Sequence, residues 1–268
     1  MVLVRNIREE KGVAAAPGRE GETRLHRHLK KWLEKAIQDF SMIGAGERVL
    51  VAVSGGADSL VLLRLLASPM VFTPPFEIVA AHIDLGFEGD GGAGRVLERH
   101  LAEGGYDFVL ERTDYGPLAH SRENRKNPCF LCSRLRRRRL FEIAAERGCR
   151  VVALAHHWDD VIETLLINLF YGREISTMLP RQTIFAGEMA IVRPLFYIKE
   201  ELIKKYAREC ALPVTENPCP TSRTSRRAYI KDLIGRLEEE NPLLRHNIWT
   251  ALSHVKADYL PFGVRREG

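Results

Sequence analysis

The chain has 268 residues, 45% of them hydrophobic, which is enough to bury a sizeable core and excludes disorder except at the two ends. Its formal net charge of +5 is a mild basic excess, compatible with a nucleic-acid partner but weak evidence for one. No apolar run approaches the roughly 20 residues of a membrane helix, and the N-terminal stretch MVLVRNIREEKG lacks the apolar core of a secretory signal, so a cytoplasmic protein is expected.

Residues 1–22 are polar and Gly/Ala-rich and read as a loose arm. Leu25, Leu29, Trp32, Leu33, Ile37 and Phe40 recur near helical spacing, predicting a helix over 24–42 that Gly44 and Gly46 end. An apolar strand over 48–53 runs into Ser54-Gly55-Gly56, and a helix with Leu60, Leu63 and Leu66 follows. The alternation repeats: strand 76–83, helix 94–103, strand 108–110, a polar loop over 113–128, helix 132–147, strand 150–155, helix 159–171, strand 188–193 and helix 199–211. Strands alternating with helices predict an α/β fold, a parallel sheet with helices on both faces. From 213 a Pro/Cys/Ser/Arg-rich link leads to helices near 226–239 and 243–258. Three regions follow: an arm and helix at 1–45, a central α/β domain at 46–212, and a C-terminal helical extension at 213–268.

The turn at Ser54–Ser59 carries the first chemistry. Its glycines let backbone N–H groups approach an anion closely, and the helix N-terminus adds donors and a favourable dipole. No Gly-Lys-Ser/Thr follows, so this is not the loop that reaches a γ-phosphate; chemistry at an α-phosphate with release of pyrophosphate fits better. The bland alternative is an ordinary strand–helix turn with Asp58 as helix cap. Ser54-Gly55-Gly56-Ala57-Asp58-Ser59 resembles the SGGxDS signature of the PP-loop ATP pyrophosphatases. That resemblance implies a Rossmann-like fold, ATP as cofactor, and adenylation of a substrate oxygen.

The cysteines carry the second. Five of them, Cys129, Cys132, Cys149, Cys210 and Cys219, in a chain with no export signal argue against a disulfide framework. Cys149 and Cys210 end predicted helices and read as packed thiols. Cys129-Phe130-Leu131-Cys132, just before a predicted helix, is a C-x-x-C able to present two thiolates to one metal or cluster. Zinc in a structural site wants four ligands. Cys219, in Asn217-Pro218-Cys219-Pro220, is the best third, and three thiolates on a cluster would leave one iron without a protein ligand. The bland reading is incidental thiols.

The segment Cys129–Arg137 resembles the C-x-x-C-x-R-L-R-R stretch of tRNA 2-thiocytidine synthetases. Ala155–Leu165 resembles their GHHxDDxxET stretch, and Asn168–Gly172 and Arg193-Pro194-Leu195 continue the match, which runs from about residue 25 to 260. The resemblance implies a 4Fe-4S cluster on Cys129, Cys132 and Cys219, tRNA as partner, a sulfur donor (a persulfide carrier or sulfide), and a homodimer. Ser222 departs from the family's P-C-x-x-C, standing where a second cysteine would be. The stretch is also similar to the wider group that makes 2-thiouridine. Many of those carry flanking zinc modules, absent here, which favours cytidine at tRNA position 32.

At helical spacing Leu135, Leu140 and Ile143 mark the buried side of the helix after the cysteines, Arg137 and Arg138 point away, and Arg136 and Arg139 point among the leucines. Either Arg136 and Arg139 pair with buried carboxylates, or Arg136 faces the active cavity and holds phosphate or developing negative charge; relatives with a basic residue here favour the second. Arg137, Arg138 and the basic cluster Arg223, Arg226, Arg227 and Lys231 are then left for the tRNA backbone. Asp159 and Asp160 open a helix, either as caps beside Glu163 or as groups that bind Mg²⁺ or act as base; by resemblance Asp160 is the catalytic one. His156 and His157 end a strand and read mainly as packing and hydrogen-bonding residues, with His156 beside the nucleotide. His82 and Asp84 are expected near the adenosine. Two rivals of other classes stay open: a PP-loop ligase acting on a small molecule, and a zinc-stabilised RNA-binding protein.

Overall fold

In a computed structural model the described residues are 23–87, 92–124, 128–216, 218–221 and 225–260. The expected arm at 1–22, Ser222 and Arg223 lie outside them. The chain divides into two compact units, residues 1–158 with 179–222, and residues 159–178 with 223–268.

The first unit is built on a six-stranded sheet. Its strands are β1 (Arg48–Ala52), β2 (Glu77–Asp84), β3 (Asp107–Arg112), β4 (Val151–Ala153), β5 (Arg181–Ile184) and β6 (Met189–Val192). They lie in the order β3-β2-β1-β4-β6-β5. All pairs are parallel except β5 with β6. The helices are α1 (Arg24–Asp39), α2 (Ala57–Leu66), α3 (Ala93–Glu103), a short α4 (Tyr115–Ala119), α5 (Pro128–Glu146) and α7 (Glu200–Glu209), with α6 (Trp158–Ile167) beginning at the last residue of the unit's first segment.

Successive side chains of a strand point to opposite faces. Val49 and Val51 of β1 therefore join one core with Leu29, Leu33, Leu62, Leu65, Leu97 and Leu101 of α1, α2 and α3, and with Ile203 and Tyr206 of α7. Leu50 joins the other, with Val79, Val109, Val152 and the α5 residues Leu140, Ile143 and Ala144. Both faces are thus covered, as an all-parallel core requires. Each fully buried leucine contributes on the order of 2 kcal/mol.

Three differences from the expectation have physical reasons. Pro128 opens α5 four residues early, since proline suits the first helical position, so Cys129 and Cys132 lie inside the helix and not before it. The supposed loop at 113–128 holds α4, which Gly116-Pro117 disguised. Strand β5 went unread because its residues Arg181–Thr183 are exposed and no apolar alternation marks it.

In the second unit α6 ends in a π-turn, Asn168–Gly172, and is joined by α8 (Arg226–Glu240) and α9 (Leu244–Ala251). The last helix is shorter than the expected 243–258. Val161, Ile162, Ile230 and Ile234 are fully buried. Among the described residues no helix is long and apolar enough to cross a membrane.

Candidate active site

Strand β1 lies between β2 and β4, so the chain leaves β1 on one side and returns on the other. Ligands in such sheets bind outside the carboxyl ends of the strands at this switch point. The glycine turn sits there. Gly55 has φ of +88°, and a Cβ added to it would collide with the Thr215 hydroxyl. The Thr215 N–H donates to the Gly55 carbonyl at 3.0 Å.

Ser59 is buried and braces the turn from inside. Its hydroxyl donates to the Gly56 carbonyl at 2.9 Å and accepts from the Ser54 N–H at 3.1 Å. The Ser54 hydroxyl accepts from the Gly56 N–H at 3.3 Å. Gly56 caps α2 without a side-chain hydrogen bond, so the first-turn N–H groups of α2 are not covered by a capping side chain. Asp58 stands in that turn with its carboxylate 4.0 Å from His157 Nε2.

The strand ends carry the histidines. His82 is buried, and its Nδ1 donates to the Val53 carbonyl at 2.8 Å, tying β2 to the mouth of the turn. The Asp84 carboxylate accepts from the Gly86 N–H at 2.8 Å and serves its own turn. His156 is half-buried, whereas His157 is buried and is the one beside Asp58.

The cysteines converge from two distant stretches of chain. Thr221 Oγ1 lies 3.6 Å from Cys129 Sγ and 3.4 Å from Cys219 Sγ. Burial pushes the Cys132 thiol up, the charge of Arg136 opposes this, and Cys219 and Cys129 both add to the rise, which places both near Cys132. Cys219 is four residues from Thr215, and a chain of that length spans at most about 14 Å. Thr215 therefore stands at the glycine turn and Cys219 within that reach of it, at the thiols.

Among the described residues no three His, Cys, Asp or Glu side chains close tightly enough to hold a metal ion. In a cluster each thiolate takes a different iron, so its donors stand further apart than around one ion. Two thiols, Cys129 and Cys219, flank one hydroxyl, and their charges act on Cys132, a loose grouping that fits that demand. Cys149 is buried, its thiol pushed up to about 11 by burial, and Cys210 is half-buried at the end of α7.

Two residues of this cluster escaped the sequence reading. Thr221 is one. His120 is the other: its Nε2 lies 3.2 Å from Thr221 Oγ1 and 3.9 Å from Cys219 Sγ, while Nδ1 donates to the Gly116 carbonyl at 3.0 Å. Nothing in the loop-like stretch around it set this histidine apart.

The arginines divide. Arg139 pairs with the buried Glu111 through Nε at 2.8 and 2.9 Å, and with Glu142 and Glu146. These carboxylates hold its guanidinium well above its ordinary value. Arg136 does not share that role; it is exposed, and its charge acts on Cys132. Arg139→Ala would leave Glu111 buried without its partner. Such losses cost about 3 kcal/mol or more, so urea unfolding of the variant is expected to show a destabilisation of that size. A change under about 1 kcal/mol would show that Glu111 finds another cation.

In the second unit every acidic residue at the start of α6 has an arginine. Arg227 Nη1 lies 2.5 Å from Asp160 Oδ1 and its Nε 3.8 Å from Glu163 Oε2. Arg245 holds Asp159 at 2.9 Å and also bonds Glu238. Arg226 lies over the Tyr171 ring, 4.7 Å from its centroid.

A glycine turn at the switch point of a parallel sheet, braced by serines and with no lysine to follow, defines a PP-loop protein. The family model described as a PP-loop domain matches residues 22–237. The tRNA-cytidine(32) 2-sulfurtransferase of Citrifermentans bemidjiense is 37% identical over 236 residues, 87% of this chain and 92% of that protein. The protein of the same name from Geotalea uraniireducens is 37% identical over 243 residues, 89% and 96% of the two chains. The chain belongs to the tRNA-cytidine(32) 2-sulfurtransferase family. Among solved structures it shares its fold with the U34-tRNA thiolase NcsA from Methanococcus maripaludis with its 4Fe-4S cluster, at a TM-score of 0.70, 24% identity, and coverage of 87% of this chain and 80% of that one.

Proposed function

We propose that this chain is a tRNA sulfurtransferase that thiolates a base of tRNA, cytidine 32, after activating it with ATP. The reading rests on the family and on one observation. The segment that brings Cys219 to Cys129 and Thr221 is hydrogen-bonded, four residues earlier, to Gly55 of the nucleotide turn.

In this reading the turn Ser54–Ser59 holds the phosphates of ATP. Gly55, Gly56 and the N–H groups of the first turn of α2 bind them, while Ser59 fixes the turn's shape. The carbonyl oxygen at C2 of the base attacks the α-phosphate and pyrophosphate leaves. Sulfur then adds at that carbon and the C–O bond breaks, releasing AMP. Holding base and nucleotide in one geometry supplies much of the rate. His82 and His156 flank the nucleotide. Arg136 offsets negative charge that develops beside Cys132. Asp160, whose Oδ1 is paired with Arg227, serves as the base or as a Mg²⁺ ligand. Cys129, Cys132 and Cys219 would hold a 4Fe-4S cluster, which when bound supplies an iron that activates sulfur from a persulfide carrier or sulfide.

Cytidine is favoured over uridine by the names of the relatives. In a strain lacking the gene, nucleoside analysis of total tRNA is expected to show loss of 2-thiocytidine, restored by a plasmid copy. Loss of a 2-thiouridine instead would move the target, and normal levels of every 2-thio nucleoside would sink the reading.

A further inference from the structure

Helix α5 has two opposed faces. Cys129, Cys132, Arg136 and Arg139 share one. Phe130, Arg134, Arg137, Arg138 and Phe141 share the other, since residues three, four and seven apart lie on one side of a helix. This second face forms one wall of a groove of about 1410 Å³, whose far wall is the β5–β6 hairpin with Arg181 and Phe185, and Arg150 also lines it.

Five guanidiniums line this groove against three carboxylates, Glu47, Glu142 and Glu188. Arg138 is paired with Glu142, yet five charges against three still leave an excess of two positive charges. The groove is therefore a cationic slot.

Its aromatic content is stranger. Phe130 is 66% exposed and Phe185 56%. Phe185 and the following Ala186 have φ of +52° and +53°, a region that residues with a Cβ enter only at a cost. Glycine would fit there without strain, and the core gains little from a half-exposed ring. Phe141 meets Phe185 edge-on, with centroids 5.6 Å apart and planes at 90°. A strained turn thus holds an aromatic face open between arginines. A strained turn that holds a ring more than half exposed is an outlier of the kind found at ligand-binding sites.

We propose that this groove binds RNA, with an unpaired base stacked on Phe185 and the flanking phosphates on Arg134, Arg137, Arg138, Arg150 and Arg181. A base stacked on an aromatic face beside arginine-bound phosphates is how proteins hold single-stranded RNA. A second copy of the chain is the weaker occupant, because a two-fold contact sets the same patch on both sides and would press guanidiniums against guanidiniums. The proposal rests on the reading of the chain as a tRNA enzyme and adds where tRNA is gripped, on the side of α5 away from the thiols.

The test is a fluorescence titration of the full-length protein with unmodified tRNA and, separately, with a fully paired RNA duplex, at several salt concentrations. Phe185→Ala is expected to weaken tRNA binding about tenfold, leaving duplex affinity and salt dependence unchanged. The pair Arg137→Ala and Arg181→Ala is expected to weaken both RNAs and flatten the salt slope by one to two. Phe185→Tyr, which keeps the ring, is expected to bind as the unaltered chain does. ATP affinity reports that each variant is folded; should Phe185→Ala lose it, Phe185→Leu replaces it in the same comparison. Variants with tRNA affinity within twofold of the unaltered chain overturn the groove and leave the tRNA reading standing. So does a groove variant that alters only the sedimentation of the protein. If the unaltered chain binds no tRNA, the function proposed above fails first.

Discussion

Replacing Cys219 with serine is expected to abolish thiolation, by at least about a hundredfold, while leaving the protein folded. Cys219 is the proposed donor that comes from far away in sequence, and it meets Cys129 at the Thr221 hydroxyl. Serine keeps the size of the side chain but gives a poor ligand for iron, because soft thiolates are what such clusters select. The side chain sits on a half-buried link outside both apolar cores, so stability should change by no more than about 0.5 kcal/mol. Iron content and visible absorption after anaerobic reconstitution are the direct readouts, and both should fall. Cys210→Ser is the control, since that residue packs at the end of α7, and it should keep its iron. A Cys219→Ser protein that retained iron and activity would show that the third thiol is not a ligand.

Gly55→Ala is expected to have the other large effect, raising the Kd for ATP by about thirtyfold. Two costs combine. Alanine at φ of +88° is strained by roughly 1–2 kcal/mol, and its methyl group would collide with the Thr215 hydroxyl. Relief of that collision pushes away the segment that leads to Cys219, so the variant should also lose iron on reconstitution. The double variant Gly55→Ala with Thr215→Gly removes the clash but not the strain. It should recover part of the ATP affinity, a non-additivity expected of neighbours in contact. Calorimetric titration with ATP measures both. Unchanged ATP affinity in Gly55→Ala would mean that the turn does not hold the nucleotide.

The central strands were legible because their apolar runs, such as Val49–Val51 and Val151–Ala153, are buried on both faces and look alike in sequence and in space. Helix α5 shows where legibility ends. Its arginine run violates any simple amphipathic pattern, and spacing alone could not say which arginine goes inward. Arg139 of α5 finds Glu111, which is 28 residues earlier on strand β3, while Arg136 stays exposed. Pairing across the fold is not written in local periodicity. The same limit hid β5, whose identity depends on β6 beside it, and His120, whose nearness to Cys219 depends on a segment 99 residues away. Asp160 was readable as a site candidate, but its pairing with Arg227 was not.

Thr215 gives the chain one further property. Because the Thr215 N–H fastens the stretch that leads to Cys219 to the rim of the glycine turn, the proposed nucleotide site and the proposed cluster thiols are mechanically joined. A mutation or a small molecule that loosened the turn would slacken that stretch as well.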